Sequence, residues 1–259
     1  AEVERVVGEQ EIKVVVLALP TADSRELYRI VRRVRRTGVL LKTIPNLRQL
    51  ERNEQSVSRL QDFRIEDLLN RRPRASDVPA VRDFVRGRVV LVTGAAGSIG
   101  SELCRQIAEY EASVLICLDK DENGLFRLEH ELKTILQRRG TGPELRFYLG
   151  DVKDRSRMQL VCEGHKPEVV FHAAAYKHVP ILQHHPIEAV RNNVGGTRLL
   201  TDLADTHDVG TFVLISTDKA VNPTSVMGAT KRIAERVVRS RNERSQTRFC
   251  TIRFGNVLG

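Results

Sequence analysis

The sequence contains no tryptophan, and aromatic residues make up only 5% of it, a poor stock for stacking on nucleobases. Its longest apolar runs, such as VVVLAL at 14–19, fall far short of the roughly 20 residues that a membrane-crossing helix needs; the chain as given is expected to be soluble. No signal peptide, internal repeat or low-complexity tract is visible. The four cysteines, at 104, 117, 162 and 250, form no CxxC pair. Cys104 and Cys117 sit inside apolar patterns and read as reduced, buried thiols in a cytosolic setting. His172, His178, His184 and His185 have no carboxylate or cysteine completing a set at ligand spacing, so no metal site is expected. Counts of 17 Gly and 9 Pro argue against a fibrous or disordered chain.

What is present in excess is positive charge, a net +9 over 259 residues. Residues 1–86 hold 18 Lys+Arg against 13 Asp+Glu, and the remainder 24 against 20. The densest cluster, RIVRRVRR at 29–36, interleaves arginines with Ile30, Val31 and Val34 at helical spacing. Its ordinary reading is a solvated helix face; an anionic membrane surface comes second and nucleic acid third.

Residues 12–20 form a strand pattern, Thr21 to Ser24 offer N-caps for a helix to about Arg36, Gly38 ends that helix, and VLLKTIP at 39–45 is a second strand. This is one βαβ unit, too small to bury a two-faced sheet alone, and reads as part of a second α/β domain over 1–60. The polar, arginine-rich stretch 61–87 reads as a linker. From 88 to 259, strand patterns near 88, 113, 145, 168, 211 and 248 alternate with helical ones. That rhythm predicts an α/β fold with a doubly wound parallel sheet, whose ligands sit beyond the carboxyl ends of the strands.

The stretch RVVLVTGAAGSIGSE, Arg88 to Glu102, is strand, glycine turn and helix, with glycines at 94, 97 and 100. A GxxGxxG pattern by itself is an ordinary tight turn as readily as a phosphate cradle; its context favours the cradle, with Ser98 and Ile99 at the helix start. The second strand ends in Asp119, a carboxylate suited to the adenosine ribose hydroxyls, which favours NAD over NADP although Lys120 would blunt that preference. The third ends in Asp151 and Val152, suited to the adenine edge. The fourth runs into Ala173, Ala174 and Ala175, small enough for a cofactor to lie close. The fifth, TFVLIS, opens into Thr217, Asp218 and Lys219, with Lys231 on the following helix one turn past Met227. A hydroxyl, a carboxylate and an amine in succession over a nucleotide site form a candidate for chemistry.

Taken together, TGAAGSIGSEL, HAAAYKHVP, NNVGGT, STDKAVNPTSVMGATK and RFGNVLG resemble the extended short-chain dehydrogenase/reductases, and among them the CapD-like nucleotide-sugar 4,6-dehydratases of polysaccharide biosynthesis, from about Ile65 to Gly259. The first region resembles the end of the CoA-binding-like domain of the long, membrane-anchored members. The resemblance implies NAD and a UDP-N-acetylhexosamine: oxidation at C4, loss of water across C5 and C6, and hydride return to C6, for surface glycan synthesis. It implies Lys219 as base at C5, Asp218 as acid at the C6 hydroxyl, Thr217 bonded to O4, and Lys231 on the nicotinamide ribose. Tyr176, Lys177 and His178 would line the sugar site. Asn193 would bond backbone near the active site, its ordinary alternative being a helix cap, and Asn256 would contact the substrate pyrophosphate. Met227 stands where most of the superfamily has a catalytic tyrosine, a substitution known in the long branch, and a thioether is no base. A nucleotide-sugar 4-epimerase or reductase, and a non-catalytic NAD-binding scaffold, are the alternatives. Beginning without Met and stopping after TIRFGNVLG, the chain reads as a piece of a longer protein, expected to bind NAD but to lack much of the sugar-nucleotide pocket. The parent is expected at the cytoplasmic face of the inner membrane, as a homo-oligomer.

Overall fold

Apolar runs that alternate between two buried faces dictate the larger part of the architecture. In the computed structural model, which describes residues 2–10, 12–18, 24–43, 61–62 and 78–255, the chain divides into two units, one ending at Ser76 and the other starting at Asp77.

In the first unit, helix α1 (Glu2–Glu9) precedes strand β1 (Val14–Leu17), helix α2 (Ser24–Arg36), strand β2 (Leu40–Thr43) and the short strand β3 (Gln61–Asp62). β1 runs parallel to β2, with Val14 opposite Leu40, which is the expected βαβ unit. α2 turns Val31 onto Leu17, with Ile30 and Leu41 packed beside them. Arg29, Arg32, Arg33 and Arg36 lie on its exposed side. α1 and the antiparallel β3 have no counterpart in the sequence reading.

The second unit carries a six-stranded, wholly parallel sheet in the order β6-β5-β4-β7-β8-β9. Its strands are β4 (Val89–Thr93), β5 (Val114–Asp119), β6 (Glu144–Leu149), β7 (Val169–His172), β8 (Thr211–Thr217) and β9 (Arg248–Phe254). Strands covered on both faces read as continuous apolar runs, which is why they are visible in the sequence. Val90, Val92, Leu115 and Cys117 point to one face, where helices α3 (Val78–Val85), α4 (Ser98–Glu109) and α5 (Glu122–Arg139) cover them. Leu91, Ile116, Leu118, Phe212 and Leu214 point to the other, under α6 (Arg155–His165), α9 (Gly196–Thr206) and α10 (Val226–Asn242). Each fully buried Leu or Ile contributes roughly 1.5–3 kcal/mol. This is the doubly wound sheet expected. The order reverses between β4 and β7, and such a switch point opens a crevice at the carboxyl ends of the strands.

Two boundaries differ from expectation. Gln61 and Asp62 belong to the first sheet, and α3 packs Val85 into the core of the second unit, so both ends of the supposed linker 61–87 are structured. Between β7 and α9 the chain forms two short helices, α7 (Val179–His184) and α8 (Pro186–Ala189), and then a widened π-turn over Val190–Gly195. Among the described residues, no helix is long and apolar enough to cross a membrane.

Candidate functional site

The β4 turn is built by the absence of side chains. Gly94 has φ +72°, and a Cβ there would lie 2.4 Å from the Ala174 nitrogen; a Cβ on Gly100 would lie 2.0 Å from the Gly94 carbonyl oxygen. The first requirement lets β4 pass against the alanines after β7, and the second lets α4 start directly beneath the turn. Gly97 caps α4 without a side-chain hydrogen bond, leaving main-chain amides at the positive helix terminus for an anion. Ser98 is exposed there and Ile99 half-buried.

Around this turn lies a cleft of about 210 Å³, lined by Gly94, Ala96, Gly97, the Leu118–Asp121 and Gly150–Val152 segments, Ala173 to Tyr176, and Asn192. Asp119 accepts from the Ala96 amide and from its own neighbour's, Asp121, both at 2.9 Å, which fixes its carboxylate beside the glycine turn. Asp151 accepts from the Lys153 amide at 2.9 Å, and Val152 is buried, its side chain filling the space that a Cβ on Gly196 would need. The structure thus brings Gly94, Gly97, Asp119, Asp151, Val152 and Ala173–Ala175 together on one cleft. It adds Ala96, Lys120, Asp121, Gly150 and Asn192, which sequence reasoning had not counted as cofactor residues. Ala96, Lys120, Asp121 and Gly150 lie just past the carboxyl end of a strand, whereas Asn192 comes from the widened turn Val190–Gly195.

Beneath the cleft runs a buried polar chain. His172 shares a hydrogen bond between Nδ1 and the Thr93 hydroxyl at 2.7 Å and another between Nε2 and the Thr197 hydroxyl at 3.0 Å. Burial, and secondarily the Lys231 ammonium, push its pKa down to about 3, so it is a neutral tie between β4, β7 and α9. Thr197 donates to the Asn193 carbonyl at 2.7 Å. The Asn193 side chain accepts from the Tyr176 amide at 2.8 Å and donates to the Tyr176 carbonyl and to Thr230, each at 3.1 Å.

At the end of β8, Thr217 turns the chain into a 3₁₀ turn, Asp218–Ala220, by accepting from the Lys219 amide at 3.3 Å. Its hydroxyl donates to Asp218 Oδ1 at 2.9 Å, and Lys219 Nζ donates to the same oxygen at 3.2 Å. The Thr217 hydrogen bond first, and Lys219 second, hold the Asp218 carboxyl below the usual range. Both charged side chains are exposed. Lys231, by contrast, is only 6% exposed and donates to the Ile215 carbonyl at 2.6 Å. Burial lowers its pKa to about 8. Glu235, one turn on, accepts from Ser216 at 2.6 Å and from Nε and Nη2 of Arg253.

This geometry places the remaining candidate residues as follows. Met227 is buried with Leu182 and Ala189 and is a packing residue. Asn193 is 1% exposed, its side-chain amide engaged by the Tyr176 main chain and by Thr230. Tyr176 lines the cleft beside the glycine turn, and Lys177 donates to Ser98 at the start of α4 at 3.2 Å. His178 stands exposed at the start of α7 with no side-chain cap bond. Asn256 lies outside the described residues.

Residues 90–259 match the family model described as polysaccharide biosynthesis protein. The chain belongs to the polysaccharide biosynthesis protein family. Among the family's curated proteins it is similar to the capsular polysaccharide biosynthesis protein CapD of Staphylococcus aureus, 40% identical over all of this chain and 43% of that protein. It is also similar to an inverting UDP-N-acetylglucosamine 4,6-dehydratase of Campylobacter jejuni, 32% identical over 67% of this chain and 50% of the enzyme. Among solved structures, the dTDP-glucose 4,6-dehydratase DesIV of Streptomyces venezuelae, determined with NAD bound, is 26% identical with a TM-score of 0.56 over 63% of this chain and 54% of that one. UDP-glucose 4-epimerases are among the matches of both kinds. The chain spans half or less of the length of the two curated relatives.

Proposed function

We propose that the protein is an NAD-dependent UDP-N-acetylhexosamine 4,6-dehydratase of surface-polysaccharide synthesis. Its relatives support an enzyme of the nucleotide-sugar dehydratase and epimerase class. The observation that carries the narrower reading is the Thr217–Asp218–Lys219 cluster, an acid/base pair sharing one oxygen at the carboxyl edge of the sheet that also carries the dinucleotide cleft. A 4-epimerase has no use for such a pair at C5 and C6.

The cleft fits NAD: Gly94 and Gly100 leave no room for a Cβ, α4 offers free amides, and Asp119 presents a carboxylate where an adenosine ribose lies in such folds. Gly94, Gly97, Ser98, Ile99 and Gly100 would hold its pyrophosphate, Asp119 the adenosine ribose, Asp151 and Val152 the adenine, Ala173–Ala175 the passing backbone, and Lys231 the nicotinamide ribose. Bound there, NAD would supply the hydride acceptor for C4 oxidation and the donor for return at C6.

The protein's own groups move the protons. A ketone at C4 acidifies the C5 proton, which Lys219 removes and later gives back to C5. Asp218 protonates the hydroxide leaving C6. It must be reprotonated in every turnover, and the Thr217 hydroxyl, already donating to Asp218, is the path by which the O4 proton reaches it. This route gives the O4 proton an owner without a tyrosine at position 227. A carboxyl held below its usual range is a strong acid once it carries that proton.

The test is incubation of the full-length protein and of the 259-residue chain, side by side, with UDP-N-acetylglucosamine and NAD in heavy water. Loss of one water with deuterium at C5 supports the dehydratase. A C4 epimer without deuterium at C5 replaces it with the epimerase, and an unchanged sugar nucleotide with bound NAD replaces it with the scaffold.

A further inference from the structure

The mouth of the cleft carries a side-chain bridge that the proton chemistry leaves unused. Lys120 follows Asp119 at the end of β5, and Tyr176 follows β7. The Lys120 amine donates to the Tyr176 hydroxyl and lies 4.0 Å from the centre of its ring. β4 lies between those two strands and its glycine turn lines the same cleft, so the bridge joins one wall to the other.

The two partners are anchored differently. Tyr176 has a fixed main chain, clamped at both N–H and C=O by the buried Asn193. Its side chain is half-buried, one flank on the Leu182, Ala189 and Met227 cluster, and the exposed Lys120 secures the far end. Lys153 approaches the same ring, at 6.0 Å, but its amine is held by Asp151 at 3.5 Å and Glu188 at 3.6 Å. An aromatic ring hinged on a rigid backbone and tied by a flexible lysine is the construction of a strap.

We propose that Tyr176 and Lys120 close over the bound dinucleotide and slow its release, an inference that rests on the NAD reading of the cleft. The chemistry gives such a strap a purpose. When one sugar both gives up the hydride and takes it back, a cofactor that departs midway strands the oxidised sugar, so the reaction needs retention rather than rapid exchange.

The experiment measures NADH release from the full chain by stopped-flow fluorescence against excess NAD, after an equilibrium NAD titration. Lys120→Met and Tyr176→Phe are each expected to speed release about fivefold, the scale of one charge-assisted hydrogen bond or exposed cation–π contact. The double variant is expected to be no faster than Lys120→Met alone, because both single changes break one bridge. Faster release from Lys120→Met with Tyr176→Phe unchanged overturns the strap and leaves Lys120 a free charge near the cofactor. Unchanged release from both also overturns it. Failure of the unsubstituted chain to bind NAD overturns the cofactor reading and the strap with it.

Discussion

The turn after β4 and the turn after β8 close buried parallel strands at the same edge of one sheet, yet they are held by opposite means. The first has almost no side chains, and backbone atoms stand 2.0–2.4 Å from where a Cβ would be at Gly100 and Gly94. The second is all side chain: Thr217, Asp218 and Lys219 hydrogen-bond one another, and the two charged groups face solvent. Where a cofactor backbone must approach, the fold specifies shape. Where the proposed function has protons move, the fold places exposed, mutually hydrogen-bonded groups that contribute little to stability. Changes at the two turns should therefore separate folding from turnover.

The largest effect tests the second turn. Lys219→Met is expected to lower turnover of UDP-N-acetylglucosamine about 10³-fold, within the range for loss of a general base. Unfolding free energy should move by less than about 0.5 kcal/mol, because the side chain is exposed. A parallel NAD titration should be unchanged. Matching losses of turnover and stability would show that this turn, like the first, is structural.

The first turn answers in the other direction. Gly100→Ala sets a methyl against the Gly94 carbonyl, and backbone there cannot yield as a flexible side chain would. The expected cost is about 3 kcal/mol in urea unfolding, together with loss of NAD binding by titration. A variant that folds normally and binds NAD would show that the turn has slack.

Lys231 sits between the two cases, a charged group under the reacting edge but held like core. Its folded pKa of about 8 lies below the ordinary 10.5, so between those values the unfolded chain binds more protons than the folded one. Stability should thus rise with pH across that window, by up to about 1.4 kcal/mol per unit, and should be flat there once Lys231→Met is compared. Urea unfolding at pH 7.5 and 9.5 checks the sign, and a wild-type slope no steeper than the variant's would mean that the amine is not desolvated.

The sequence announced what depends on local pattern. β4, β5, β7 and β8 are largely apolar runs, Asp119 ends β5, and Gly94 and Asp151 lie just past β4 and β6, so the cleft is legible from the strand ends. Contacts between distant segments were not legible: Lys120 and Tyr176 are 56 residues apart, and nothing in either neighbourhood calls for the other. Asn193 was visible as a polar residue in a helical pattern, but the widened π-turn that buries it and turns its amide onto Tyr176 has no sequence period of its own. The helix Val78–Val85 lies in an arginine-rich stretch, and among its described side chains Val85, with Phe84 beside it, reaches the core while residues 79–83 are exposed.

Met227 gives the smallest expected effect and the finest discrimination between the two kinds of turn. It occupies the place of a catalytic tyrosine in the resemblance but is 4% exposed, packed with Leu182, Ala189 and the flank of Tyr176, so it belongs with residues that act by shape. Leucine has nearly the same volume and no sulfur. Met227→Leu is expected to cost less than about 1.5 kcal/mol and to change turnover by no more than about twofold, measured by thermal unfolding and by the heavy-water assay. A tenfold loss of turnover at unchanged stability would put the thioether among the reacting groups. Chemistry would then not be confined to the exposed turn after β8, and the route of the O4 proton through Thr217 would have to be redrawn around position 227.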